Sequence, residues 1–244
     1  FRFLATQYDT VVVICKSDYK KTLELILNDD KICFYGAEKI SGYEHPYDLY
    51  GEHKYDDISK NYINKYIVGF HRVNGCHLAN NLPFNFYDDI NIDRDVFWKY
   101  NYTTPIPNED DLYYKYLANS GIPFIFLHMS TSYGKLFSIE DVEKSFNINR
   151  DDILVIDPCE NVYKEDHKFY ELAKSLCNNN LYYYKTIIEN AEKIIMSDSS
   201  FFCYSICLKT KAHDIYIKVR DSSLYGAHCF QFLKKINNYI NWNT

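Results

Sequence analysis

Short runs of apolar, often β-branched residues recur along the chain, and most are followed by a polar turn and a segment with helical spacing. Thr10–Cys15 (TVVVIC), Pro123–His128 (PFIFLH) and Ile153–Asp157 (ILVID) are the clearest of these runs. A continuous apolar run of this length is typical of a strand that is buried on both faces of a parallel sheet. Strands that alternate with helices in this way predict an α/β fold with parallel sheets.

A proline-containing segment followed by a run of acids divides this pattern into two similar halves. Thr103–Asp111 (TTPIPNEDD) has the composition of an interdomain linker that leads into a helix. The 244 residues are sufficient for two small domains. We therefore predict two doubly wound lobes that face a cleft, one at residues 1–104 and one at 105–244. Gly226–Ile240 is predicted to form a terminal amphipathic helix, which can pack back on the first lobe.

Charge, hydropathy and cysteine usage narrow the classes of function. The net charge of −6 gives no electrostatic case for binding nucleic acid. The sequence contains no run of about 18 apolar residues, so no membrane span is predicted. The eight cysteines form no CxxC pair and most have apolar neighbours. This usage predicts buried, reduced thiols in the cytoplasm and no zinc site.

Polar segments that follow the predicted strands are candidate sites, because ligands of doubly wound sheets bind beyond the carboxyl ends of the strands. His128 ends an apolar strand, and Ser130 and Lys135 lie in the polar loop after it. Asp157–Cys159 follows the next strand, where a turn is an equally good explanation. His128 is as well explained by a structural hydrogen bond, and Ser130 by a turn.

The segment Ile187–Leu208 (IIENAEKIIMSDSSFFCYSICL) predicts a helix end, a short strand (IIM), a small polar turn (SDSS) and a second helix. The first N–H groups of such a helix have no intrahelical partner, and the helix dipole adds positive charge there. Ser199 and Ser200 can therefore cap the helix and also donate hydrogen bonds to phosphate oxygens. The alternative is that Asp198 or Ser199 serves only as the N-cap.

The order of these segments resembles one family. The stretches IENAEKIIMSDSSF and FLHMSTSYG are the most specific pieces, and the likeness extends in outline from Thr10 to Arg220. The chain resembles the GT-B glycosyltransferase-like proteins of polysaccharide gene clusters, which are distantly similar to bacterial heptosyltransferases. The resemblance implies two Rossmann-like lobes, of which the second binds a nucleotide-sugar donor and the first holds a glycan acceptor.

The family's donor contacts are carried over only to matching positions of this sequence. The resemblance implies that the serines of the SDSS turn face the donor diphosphate. The loop after the first strand of the second lobe would lie at a phosphate or the ribose. Two residues at the helix that precedes the IIM strand would lie near the base or ribose. The residues so implied are His128, Ser130, Lys135, Tyr184, Glu189, Asp198, Ser199 and Ser200.

The first lobe offers weaker catalytic candidates. His71 and His77 follow a predicted strand (YIVGF), and either could act as the general base that takes the proton of the acceptor hydroxyl. The alternative is that both are surface loop residues. Asp93–Asp95 matches the D-x-D pattern of metal-dependent glycosyltransferases, but it follows a helix-like segment rather than a strand, so no metal site is predicted.

These observations predict a metal-independent glycosyltransferase that moves a sugar from a nucleotide-sugar to a glycan and needs no cofactor. One feature departs from the family, whose members begin with a strand, a Gly-rich loop and a helix before the part that matches Phe1–Tyr8. Either the chain is a piece of a longer protein, or the first lobe lacks its first strand. The second case favours a non-catalytic sugar- or nucleotide-binding module. A sugar-nucleotide epimerase is a third possibility, because it would bind the same donor.

Overall fold

A computed structural model describes residues 1–37, 60–62, 64, 90–131, 134–213, 215–218 and 239–241. The chain divides into two compact units, Phe1–Thr104 and Pro105–Thr244. Each unit contains helices and parallel strands, which confirms the predicted mixed α/β class. No helix among the described residues combines the length and the apolar character needed to cross a bilayer.

Unit 1 is built around two parallel strands in which Val11 lies opposite Ile32. Alternate side chains of these strands form one buried face, where Val13 and Phe34 pack with Ala5 of the first helix. The first strand contains three valines and one isoleucine, and such β-branched residues favour the extended conformation. The elements that the structure describes in unit 1 are α1 (Arg2–Gln7), β1 (Val11–Lys16), α2 (Ser17–Leu27), β2 (Ile32–Ala37) and α3 (Asp95–Tyr100).

The described part of unit 2 contains the strands β3 (Phe124–His128), β6 (Leu154–Ile156), β7 (Lys193–Ser197), β8 (Ile215–Lys218) and β9 (Tyr239–Asn241), and a small hairpin of β4 (Ser130–Thr131) and β5 (Gly134–Lys135). The first five form a parallel sheet with the strand order β6-β3-β7-β8-β9. Its apolar runs are buried as the sequence predicts. The described helices are α4 (Leu112–Tyr116), α5 (Ile139–Phe146), α6 (Tyr170–Ser175), α7 (Lys185–Asn190) and α8 (Ser200–Ser205), with a 3₁₀ turn at Leu181–Tyr184.

Helices lie on both faces of this sheet. On β3, the ring of Phe126 lies 5.5 Å from that of Phe201 in α8. Side chains alternate along a strand, and the register aligns Tyr216 with Leu127 rather than with Phe126. On that second face, the ring of Phe146 in α5 lies 4.5 Å from the ring of Tyr216. The sheet is therefore sandwiched between two helical layers.

The predicted terminal helix Gly226–Ile240 is wrong at its carboxyl end. Tyr239–Asn241 form strand β9, in which Tyr239 lies opposite Ile215 of β8. An open strand edge presents a row of backbone N–H and C=O groups that need partners. Pairing with this edge outweighs the helical spacing of the last residues. Residues 219–238 lie outside the described part of the chain.

We predict that Phe126→Ala strongly destabilises unit 2. The side chain is fully buried in the central part of the sheet, so truncation leaves a cavity and should cost about 3–5 kcal/mol of the free energy of unfolding. Urea denaturation of the full chain, monitored by far-UV circular dichroism, measures this loss.

Tyr114→Ala is the matched control, because this aromatic side chain is 48% exposed. Its truncation should change the free energy of unfolding by no more than about 0.5 kcal/mol. Similar losses for both variants would contradict the described core.

Candidate functional site

The carboxyl ends of β3 and β7 meet at the point where the strand order of the second sheet reverses. The chain passes from β3 to β6 on one side and then crosses to β7 on the other side of β3. Connections that leave in opposite directions open a crevice at this position, which is where doubly wound sheets bind ligands. His128 ends β3 and lies opposite Met196, and Ser197 ends β7.

A buried imidazole lies at the centre of this edge. His128 is 4% exposed, and its Nδ1 atom lies 2.9 Å from Ser199 Oγ and 3.2 Å from Ser197 Oγ. Its Nε2 atom lies 3.5 Å from Cys159 Sγ, and its ring packs 4.7 Å from the ring of Phe201. Burial lowers the pKa of His128 to about 4. The imidazole is therefore neutral at pH 7.

The imidazole ring connects two serine hydroxyls and one cysteine thiol in a single set of hydrogen bonds. Ser197 Oγ donates its proton to the Ser130 carbonyl at 2.7 Å, so it can only accept from His128. A neutral imidazole carries one N–H. With the proton on Nδ1, Nε2 accepts from the Cys159 thiol; with the proton on Nε2, Nδ1 accepts from the Ser199 hydroxyl. The two tautomers place the basic nitrogen on opposite sides of the ring, so a ligand at either side selects one of them.

Ser199 occupies the N-cap position of α8 but makes no side-chain capping bond. Its hydroxyl contacts His128 instead. Ser200 begins the helix and is exposed. The Asp198 N–H donates to the Lys218 carbonyl at 3.1 Å, which ties the turn to β8. The turn predicted from the sequence is thus present, and its central hydroxyl is directed into the histidine cluster rather than to the helix end.

Asp157, directly after β6, holds the loops that follow β3 and β6 together. Its carboxylate is 3% exposed and accepts the N–H of Met129 at 3.2 Å and that of Cys159 at 2.7 Å. It also accepts the N–H of Glu160. Burial raises the pKa of Asp157 to about 6, although these three N–H groups act in the opposite direction. The carboxylate therefore fixes the main chain of the loops after β3 and β6 rather than facing solvent.

An ion pair joins the hairpin to the loop after β6. Lys135 Nζ lies 2.6 Å from Glu160 Oε1 and 2.5 Å from Oε2. The hydrogen bond to Glu160 raises the pKa of Lys135. Both side chains are partly exposed, so the pair stays accessible to a ligand. Sequence reasoning missed Glu160, because its partner is 25 positions away in the chain.

Two of the implied donor residues are not brought to this edge. Tyr184 is fully buried, and its hydroxyl donates to the Leu176 carbonyl within the core. Glu189 lies in α7, just before the amino end of β7, and its carboxylate lies 3.9 Å from Lys185 Nζ. The sheet thus separates Glu189 from His128. Aromatic and helical spacing gave no indication of which edge either residue would occupy.

The remaining candidates lie in unit 1. His71 and His77 fall outside the described residues. Asp93 Oδ1 accepts the N–H of Asp95 at 2.9 Å, a local turn at the start of α3. Within the described ranges, no group of three or more His, Cys, Asp or Glu side chains is placed to hold a metal ion.

Comparison of the chain with protein-family models, with curated proteins and with solved structures gave no match.

We predict that Asp157→Asn changes how stability depends on pH. The folded wild type binds this extra proton between about pH 4 and pH 6, so the contribution of Asp157 to stability falls as pH rises through this window. The variant lacks that contribution. The free energy of unfolding of the variant minus that of the wild type should therefore increase by about 2 kcal/mol from pH 4 to pH 7. Urea denaturation at a series of pH values measures this difference.

Asp166→Asn controls for the loss of one negative charge, because Asp166 is an exposed residue of the same loop. A stability difference between Asp157→Asn and wild type that is constant across this pH range would show that the carboxylate is not buried as described.

Proposed function

We propose that the protein is a nucleotide-sugar-dependent glycosyltransferase, and that unit 2 binds the donor at the carboxyl edge of its sheet. The observation that carries this proposal is the convergence of His128, Ser197 and Ser199 at the strand-order reversal. Sites at this position in doubly wound sheets bind nucleotides. The segment resemblance described above supports the same class of ligand.

The polar groups of the site can bind a diphosphate through hydroxyl groups and one positive charge. The hydroxyls of Ser199 and Ser200 can donate to phosphate oxygens, and Lys135 supplies a positive charge at the rim. His128 can donate to the ligand from Nδ1 or accept from it, depending on the tautomer. A ligand oxygen beside Ser199 would take the hydrogen bond that this hydroxyl shares with His128 in the free protein.

The proposed reaction is a transfer of the glycosyl group. The oxygen of an acceptor hydroxyl bonds to the anomeric carbon of the donor, the bond from that carbon to the phosphate oxygen breaks, and the nucleoside diphosphate leaves. Hydrogen-bond donors that face the diphosphate stabilise the negative charge that develops on it. A general base takes the hydroxyl proton, and His71 and His77 remain the proposed candidates for this role.

A binding module without transfer activity is the second candidate. All the described groups of the cluster, from His128 to Ser199, belong to unit 2. Unit 2 alone therefore supplies the described groups that are proposed to bind the donor. Turnover separates the two candidates, because a transferase releases nucleoside diphosphate from its nucleotide-sugar and a module binds the nucleotide-sugar unchanged.

We predict that one nucleotide among UDP, GDP, ADP, CMP and dTDP raises the thermal unfolding temperature. A ligand that binds only the folded protein adds about 2.7 kcal/mol of stability at a hundredfold excess over its dissociation constant. The double variant Ser199→Ala/Ser200→Ala should abolish the shift, because it removes two proposed phosphate donors. Differential scanning fluorimetry measures both effects.

Ser175→Ala is the matched control, since it removes an exposed hydroxyl that donates to the Glu171 carbonyl within α6 and makes no hydrogen bond to a member of the cluster in the described part of the chain. It should retain the full nucleotide response. The donor-site proposal fails if no nucleotide shifts the wild-type transition, or if the double variant responds as the wild type does.

A further inference from the structure

We propose that a cavity at the amino edge of the first sheet binds a small hydroxycarboxylate, whose carboxylate pairs with Arg2. The cavity has a volume of about 480 Å³ and is lined by α1, by the loop before β2 and by the end of α3 with the segment after it. A volume of this size suits a small molecule. The site belongs to unit 1 alone, so the inference does not depend on donor binding by unit 2.

Arg2 is a buried cation that lacks a carboxylate partner. Its side chain lines the cavity, and the residue is 7% exposed. Within the described ranges its Nε atom has no hydrogen-bond partner, and it takes part in no ion pair. A guanidinium group remains protonated in proteins and carries five N–H donors. Because burial of an uncompensated charge is unfavourable, an anion in the cavity would be stabilised.

Contacts within the protein compensate this charge only in part. The guanidinium carbon lies 4.4 Å from the centre of the Tyr102 ring, and Nη2 donates to the Ile26 carbonyl at 2.9 Å. That carbonyl belongs to the last turn of α2, where the helix dipole is partly negative. It also accepts the N–H of Thr104 at 3.3 Å. Neither a ring face nor a shared carbonyl carries a full negative charge, which an anionic ligand would supply.

A second cation lines the same cavity. Lys31 is exposed, and its Nζ atom donates to the Ala5 carbonyl at 3.2 Å. An ammonium group has three donors, so two remain for a ligand. The planar fork of Arg2 matches the geometry of a carboxylate, which can accept two parallel hydrogen bonds from it. A carboxylate ligand would therefore meet one directional and one flexible positive group.

Two acidic side chains restrict the ligand further. Asp29 and Asp30 line the cavity, and Asp29 Oδ1 accepts the N–H of Lys31 at 3.0 Å. These carboxylates repel a ligand of high negative charge, which disfavours phosphate. They also accept hydrogen bonds from hydroxyl groups. A ligand with a single carboxylate and several hydroxyls satisfies the cations and the acids together.

The test compares ligands that each carry part of this chemistry. We would titrate the full chain with gluconate, hexanoate, glucitol and inorganic phosphate at matched ionic strength and record ¹H–¹⁵N correlation spectra. Gluconate should shift the amides of Ala5 and Lys31. Hexanoate lacks the hydroxyls and glucitol lacks the carboxylate, so each should bind about tenfold more weakly. Glucuronate carries the same groups on a ring, and its affinity relative to gluconate distinguishes a cyclic from an open-chain ligand.

Two variants locate the carboxylate. Arg2→Lys keeps the charge but loses the planar fork, and it should weaken gluconate binding about tenfold. Lys31→Gln removes an exposed charge and should weaken binding about threefold. Lys21→Gln is the matched control, because it removes an exposed lysine of α2 that does not line the cavity. It should bind gluconate as the wild type does. If Arg2→Lys does not fold by circular dichroism, Lys31→Gln and its control decide the matter.

The remaining outcomes would overturn the inference. If neither gluconate nor glucuronate shifts the amides of Ala5 and Lys31, the cavity does not bind this class of ligand. Phosphate or hexanoate that binds as tightly as gluconate would refute the selection of a hydroxycarboxylate. Equal affinities of the wild type and the folded cavity variants would refute the site. Loss of gluconate binding in Ser199→Ala/Ser200→Ala would place the ligand in unit 2 and have the same consequence.

Discussion

The parallel pairing of β3 with β7 is the constraint on which the candidate site depends. This pairing places His128 opposite Met196, so that the turn after β7 brings Ser199 to the imidazole. The strand order then leaves this edge open, because the connections on its two sides diverge. A shift of one residue in register would turn His128 to the other face of the sheet and separate it from Phe201.

Burial disfavours the charged forms of His128 and Asp157, which lie beneath a rim of exposed charges. It lowers the pKa of His128 to about 4 and raises that of Asp157 to about 6. Between these values the two residues affect stability in opposite directions as pH rises, because one favours the deprotonated folded state and the other the protonated one. Lys135 and Glu160 provide charge only where solvent and a ligand can reach it. Such a site is chemically suited to orienting a polar ligand through hydrogen bonds.

Much of the second sheet could be predicted from the sequence, because its strands are continuous apolar runs with polar turns. The same rule placed His128 and Ser199 at strand ends. It could not place Tyr184 or Glu189, since position in a helix does not reveal which sheet edge a side chain occupies. Nor could it find Glu160, whose significance arises from a contact with a hairpin 25 residues away. Long-range pairing also determined β9, where a sheet edge prevailed over local periodicity.

The most direct test of the central claim is to map where a nucleotide binds, using ¹H–¹⁵N correlation spectra of the full chain titrated with the nucleotide that stabilises it. We expect amide shifts at Met129, Cys159 and Ser199, around the carboxyl edge. The amino edge carries a cavity of about 550 Å³ lined by Glu192 and Lys193, among others, and serves as an internal control. Shifts confined to that cavity, or no shifts at all, would contradict a donor site between β3 and β7.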